Sequence, residues 1–147
     1  MTKVKFMTML ILILLIPAFI CGCAERDYIA QIERYAEDHP ELTFGEILDF
    51  DWDIAYNDLN YYGRGEVTKE LSGYEFEIDP IGVDHLRRFL FFKEGKLVKD
   101  IRYEYGVFQF PDTTLEFYPD TVFAVEWFDY VADSGRIYPH LIFSIKE

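Results

Sequence analysis

Nine consecutive residues, Leu48 to Tyr56, constrain the fold more than any other stretch. Leu48, Phe50, Trp52, Ile54 and Tyr56 alternate with Asp49, Asp51, Asp53 and Ala55. A period of two puts the two sets on opposite faces of a strand, whereas a helix would scatter them around its circumference. The run predicts a strand with one buried and one wet face. Further along, Arg87-Arg88-Phe89-Leu90-Phe91-Phe92 and Leu97 to Tyr103 flank Lys93-Glu94-Gly95-Lys96. Two apolar runs about a glycine-bearing turn predict a β-hairpin.

Other elements are placed around these two. Tyr28, Ile29, Ile32, Tyr35 and Ala36 recur at helical spacing, so Ala24 to His39 reads as an amphipathic helix that Pro40 stops. A short turn covers Glu41 to Gly45, and Asn57 to Gly65 is a turn-rich loop. Glu66 to Leu71 reads as a short helix closed by Ser72-Gly73, and Tyr74 to Ile78 alternates again until Asp79-Pro80. Strands are expected over Gly106 to Phe110, Val122 to Tyr130 and Arg136 to Lys146. Asp133-Ser134-Gly135 makes the last turn, and Pro139 marks an edge or a bulge. No long helical pattern separates the strands, so the sheet should be mostly antiparallel. The expected fold is α+β: an N-terminal amphipathic helix packed on a mostly antiparallel sheet of about five to seven strands. The 14 Phe, 11 Tyr and 2 Trp residues favour a tightly filled core, because each aromatic ring buries a large area.

The N-terminus carries a different signal. Lys3 and Lys5 precede an uncharged stretch, Phe6 to Ile20, interrupted by Pro17 and followed by Cys21-Gly22-Cys23. A positive start, an apolar stretch and a small-residue cleavage site are the parts of an export signal. A permanent spanning helix needs about 20 apolar residues, so an anchor here would be short and kinked. The segment resembles the signal and lipid-attachment box of a bacterial lipoprotein precursor. For Cys23, Ile20 stands three positions before and Gly22 immediately before, as the box requires; for Cys21, bulky Ile20 occupies the cleavage position. The resemblance implies a signal peptide over residues 1–22, a diacylglycerol-type lipid on Cys23, and a single α+β domain over 23–147. A Cys21–Cys23 disulfide would close a strained, tiny loop, and a metal site there lacks further ligands nearby.

Phe50-Asp51-Trp52-Asp53 together with Phe91-Phe92-Lys93-Glu94-Gly95-Lys96 resembles a family of small uncharacterised exported bacterial proteins and lipoproteins. In these an FxWD strand and an FFKDGK-type hairpin recur in one α+β domain. That resemblance implies no activity.

Without the first 22 residues, whose only charges are two lysines, the formal charge moves from −13 to −15 on 125 residues. Such a chain repels phosphates, which excludes a nucleic-acid role. Asp49, Asp51 and Asp53, with Asp58 nearby, are candidate cation ligands, since D-x-D-x-D opens a calcium loop. However, the required glycine falls on Ile54 and the closing glutamate on Asn60; a solvated sheet face is the competing reading. Trp52, Tyr61, Tyr62 and Trp127 are candidates for an aromatic binding surface. No acid/base pair, histidine cluster, nucleophile elbow or phosphate loop is selected, and no cofactor is implied. Arg87, Arg88, Lys93, Lys96, Lys99 and Arg102 read as the outward, edge-protecting charges of the hairpin, with an anion-facing patch as the alternative. The expectation is a membrane-anchored extracytoplasmic binding or interaction module without catalytic chemistry, its partner an envelope protein or ligand. An aromatic-surface glycan or peptide binder and a cell-envelope hydrolase or hydrolase inhibitor are the alternatives.

Overall fold

A computed structural model describes residues 27–58, 65–82, 85–111 and 116–146. In chain order these form helix α1 (Tyr28–Asp38), β1 (Glu41–Thr43), helix α2 (Phe44–Ile47), β2 (Ile54–Asp58) and helix α3 (Glu66–Ser72). The strands β3 (Leu86–Lys93), β4 (Lys96–Glu104), β5 (Phe108–Gln109), β6 (Glu116–Phe117), β7 (Val122–Val131) and β8 (Ile137–Ile145) follow. Two four-stranded sheets result, ordered β1-β7-β8-β5 and β4-β3-β2-β6. Every pairing is antiparallel except that of β5 with β8. The α+β class and the antiparallel bias agree with the sequence; two sheets in place of one do not.

The division has its origin in β3. Phe89, Leu90, Phe91 and Phe92 are all fully buried, so both faces of this strand must be covered. Phe89 and Phe91 face the larger core, while Leu90 and Phe92 join Tyr56 in a second, smaller one. Tyr74, Phe76 and Ile78 close that second layer. Their alternation predicts a strand, yet the segment pairs with none among the described residues. It lies extended, with Glu75 and Glu77 outward, and its rings pack on Phe92.

Phe44 sits at the centre of the larger core. Its ring contacts Phe89 and Phe117 of one sheet, Phe123 and Phe143 of the other, and Phe110, with centroids 5.1 to 6.4 Å apart. The one-turn helix that presents it is capped by Thr43, whose Oγ1 accepts from Glu46 N. Gly45 lets the chain pass Pro119: its N–H donates to the Pro119 carbonyl at 3.0 Å, and a Cβ there would lie 2.6 Å from that oxygen. In α1, Asp27 caps the first turn by accepting from Ala30 N, and Ile32 and Ala36 are buried.

The strand expected from Leu48 begins only at Ile54 and runs on to Asp58, two residues into the expected loop. The inside-out alternation still holds before it: Leu48 and Trp52 are buried, Asp49, Asp51 and Asp53 exposed. The apolar set then divides, Leu48 and Trp52 entering the larger core and Tyr56 the smaller. The hairpin β3–β4 forms as expected, with Glu94 at φ 50° and Gly95 at φ 73°. The helix over Glu66–Ser72 ends at left-handed Gly73, also as expected.

Candidate functional site: a projecting arm and a buried charge cluster

β7 and β8 pair over nine residue couples from Phe123↔Ile145 to Val131↔Ile137. Their lower halves belong to the core: Phe123, Val125, Leu141 and Phe143 are buried. β1 flanks β7 only at Val122–Ala124, and β5 flanks β8 only at Leu141–Ile142. Beyond these, the two strands continue together without a sheet neighbour among the described residues, and every residue from Glu126 to Val131 is exposed. One face of this arm carries Trp127, Val131 and Ile137, exposed by 46, 60 and 62%. The other carries Phe128, Tyr130, Tyr138 and His140, with Tyr130 stacked on His140 at 5.7 Å. Gln109 Nε2 meets His140 Nδ1 at 3.1 Å and ties the root of that face to β5. Two-stranded ribbons are marginal in water, and large contiguous apolar exposure marks interaction surfaces.

A second constellation lies on the face of β3 away from the larger core. Arg88 is fully buried. Its Nη1 donates to Asp100 Oδ2 at 3.1 Å and its Nη2 to the Asp79 carbonyl at 2.8 Å. Asp58, its cross-strand neighbour on β2, is buried too. Burial lowers the pKa of the Arg88 guanidinium, against the opposing pull of Asp100. Burial likewise raises that of the Asp100 carboxyl, against Arg88 and Arg102. An open groove of about 680 Å³ runs over this cluster, lined by Lys69, Glu77, Ile78, Asp79, Asp100 and Arg102. Its lining thus mixes the carboxylates of Glu77, Asp79 and Asp100 with the cations of Lys69 and Arg102.

The residues singled out in the sequence fall apart in space. Trp52 is buried against Phe91 and Phe117 and is no surface residue, because its ring packs into the larger core over β3 and β6. Trp127 alone of the two indoles faces solvent. Tyr61, Tyr62 and Cys23 lie outside the described residues. Asp51 and Asp53 are paired with Lys93 at 3.3 and 2.8 Å, and Asp53 also accepts from Glu94 N at 2.7 Å. Lys93, then the Glu94 N–H, hold the Asp53 carboxyl below the usual range. Asp49 accepts from the Tyr28 hydroxyl at 3.2 Å. Asp51 and Asp53 thus share one cation while Asp49 meets a hydroxyl, and no group of three or more metal-binding side chains occurs among the described residues.

The hairpin arginines are a correction. Arg87 and Arg88 are 3 and 0% exposed, one against the Tyr105 ring and the other in the charge cluster. They are not outward charges, because β3 is covered on both faces. The arm residues Phe128, Tyr130, Val131, Ile137 and Tyr138 were not singled out by pattern. Their signal is a run, Trp-Phe-Asp-Tyr-Val, that is apolar on both faces yet ends in a polar turn. No described helix is long and apolar enough to cross a membrane. Comparison with known proteins returns no matching family model, curated protein or solved structure.

Proposed function

We propose that this is an extracytoplasmic lipoprotein, tethered by a diacylglycerol-type lipid on Cys23 after loss of residues 1–22. It acts as a non-catalytic interaction module that presents the β7–β8 arm to an envelope protein. The exposed aromatic arm carries the reading: a chain of this acidity gains nothing in solubility by displaying Trp127, Phe128 and Tyr130 beyond its core. In this reading the single domain over 23–147 follows the lipid site directly, and its first described helix, α1, buries Ile32 and Ala36. Burial of Trp52 takes away one of two indoles a glycan platform would use.

Two measurements test this. Labelled palmitate should enter the wild-type protein and not Cys23→Ser; continued labelling of the variant would remove Cys23 as the anchor. A photo-crosslinking phenylalanine analogue at position 130 should give discrete protein adducts in intact cells, lost on adding Trp127→Ser. Absence of adducts would contradict the role of the arm.

A further inference from the structure

We infer that the free edge of β7, Trp127–Val131, is a strand-addition site for an extended, basic segment of a partner protein. This rests on the arm being the interaction element and says how it engages.

The two edges of the arm are unequal. Ala132 N donates to Arg136 O, and Lys146 N to Val122 O, so even-numbered residues of β7 point their backbone groups at β8. Val125 N donates instead to Pro40 O at 2.8 Å, on the side of β1. By the alternation of an antiparallel ladder, Trp127, Asp129 and Val131 turn their N–H and C=O groups to that same side. No strand among the described residues meets them. On β8 the outward set is odd-numbered, as Leu141 N donating to Val107 O shows. Pro139 belongs to that set and sits opposite Asp129, so its missing N–H falls on the outer edge and blunts it. One edge of the arm is closed by proline, and the other continues the line of β1 with its backbone groups open. Open edges of this kind accept extended peptides, with main-chain bonds giving affinity and flanking side chains specificity.

Charge selects the occupant. Glu126 and Asp129 stand exposed on the open strand, and Glu37 and Asp38 are exposed just before Pro40, whose carbonyl accepts from Val125 N next to the open edge. A second copy would bring the same carboxylates and a net charge of −13, or −15 without residues 1–22, against them, and like charges across a pairing destabilise it. Insertion into lipid would lead with Asp133 and Arg136, the wrong groups for a bilayer. A segment alternating lysine or arginine with apolar residues fits both the carboxylates and the rings.

The test uses the full chain in detergent and three ten-residue probes: alternating lysine–valine, alternating glutamate–valine, and the lysine–valine peptide with proline at alternate positions. Emission from Trp127 should shift on adding the first, which should bind at least about tenfold more tightly than the other two. Amide exchange at Trp127, Asp129 and Val131 should slow on binding, while Phe128 and Tyr130, bonded to β8, change little. Asp129→Pro should abolish binding; Asp129→Asn should weaken it by less than about tenfold. The amide exchange needs no substitution, so it decides the matter even if the proline variant loses its arm. Equal binding of the proline-interrupted probe, or of no probe, overturns strand addition. Crosslinks from position 130 that persist in that case leave the arm as a contact surface by its side chains. A dimer abolished by Asp129→Pro, or Trp127-dependent flotation with anionic vesicles, assigns the edge to a second copy or to lipid and also overturns the proposal.

Discussion

Arg88 and Asp100 form an ion pair at 3.1 Å in which burial works against the charge of both partners. Removing one side of such a pair leaves the other uncompensated. Asp100→Leu should therefore cost about 3 kcal/mol, because Arg88 would keep the Asp79 carbonyl but lose its charged partner. Arg88→Met combined with Asp100→Leu should recover most of that loss. Urea denaturation of the three proteins checks it; a double variant weaker than Asp100→Leu would show that the pair stabilises the fold.

The pH dependence of Asp100 and Asp53 should have opposite signs. Burial raises the folded-state pKa of Asp100, so its favourable contribution is complete below the unfolded carboxylate value of about 3.9 and is lost as pH rises through the folded one. Asp53 is lowered by Lys93 and Glu94 N, so its contribution is present above that unfolded value and is lost as pH falls through the folded one. Between acid and neutral pH, Asp100→Asn should gain on the wild type while Asp53→Asn falls behind. Parallel profiles for the two variants would contradict both assignments.

Gly45→Ala should destabilise by about 1–3 kcal/mol, since the new Cβ would lie 2.6 Å from the Pro119 oxygen and press on the turn that holds Phe44. Gly106→Ala, with nothing within 4 Å, should stay within about 0.5 kcal/mol. Thermal melts of the pair separate close approach from a general cost of added methyl groups.

In the β3–β4 turn, Glu94 holds a left-handed backbone at φ 50° before Gly95. Asn-Gly suits such a turn better, so Glu94→Asn should raise stability by about 0.5 kcal/mol. An unchanged or lower melting temperature would show that the Glu94 side chain matters beyond its backbone.

Local chemistry made this hairpin legible in the sequence, as it did the Gly73 stop of α3 and the extents of β7 and β8. The two-sheet arrangement was less so. Phe89 to Phe92 is an apolar run that a one-face pattern cannot interpret, and β1 and β6 are too short for any periodicity to register. For the candidate site, Trp127 could be named but not separated from Trp52: both occur in aromatic–acidic stretches, and only the neighbouring strands decide that one fills the core. Arg88 looked like a surface charge because its burial rests on partners remote in sequence, the Asp79 carbonyl and the Asp100 carboxylate.

The most direct test compares the two indoles. Trp52→Ala should cost about 3–5 kcal/mol as a core truncation. Replacing Trp127, Tyr130 and Tyr138 together with serine should leave the melting temperature within about 2 °C, abolish crosslinking from the arm, read from a probe at position 128, and weaken binding of the lysine–valine peptide. A triple variant that unfolds early, or that melts normally and still crosslinks as the wild type does, would contradict the assignment of the arm as the binding element.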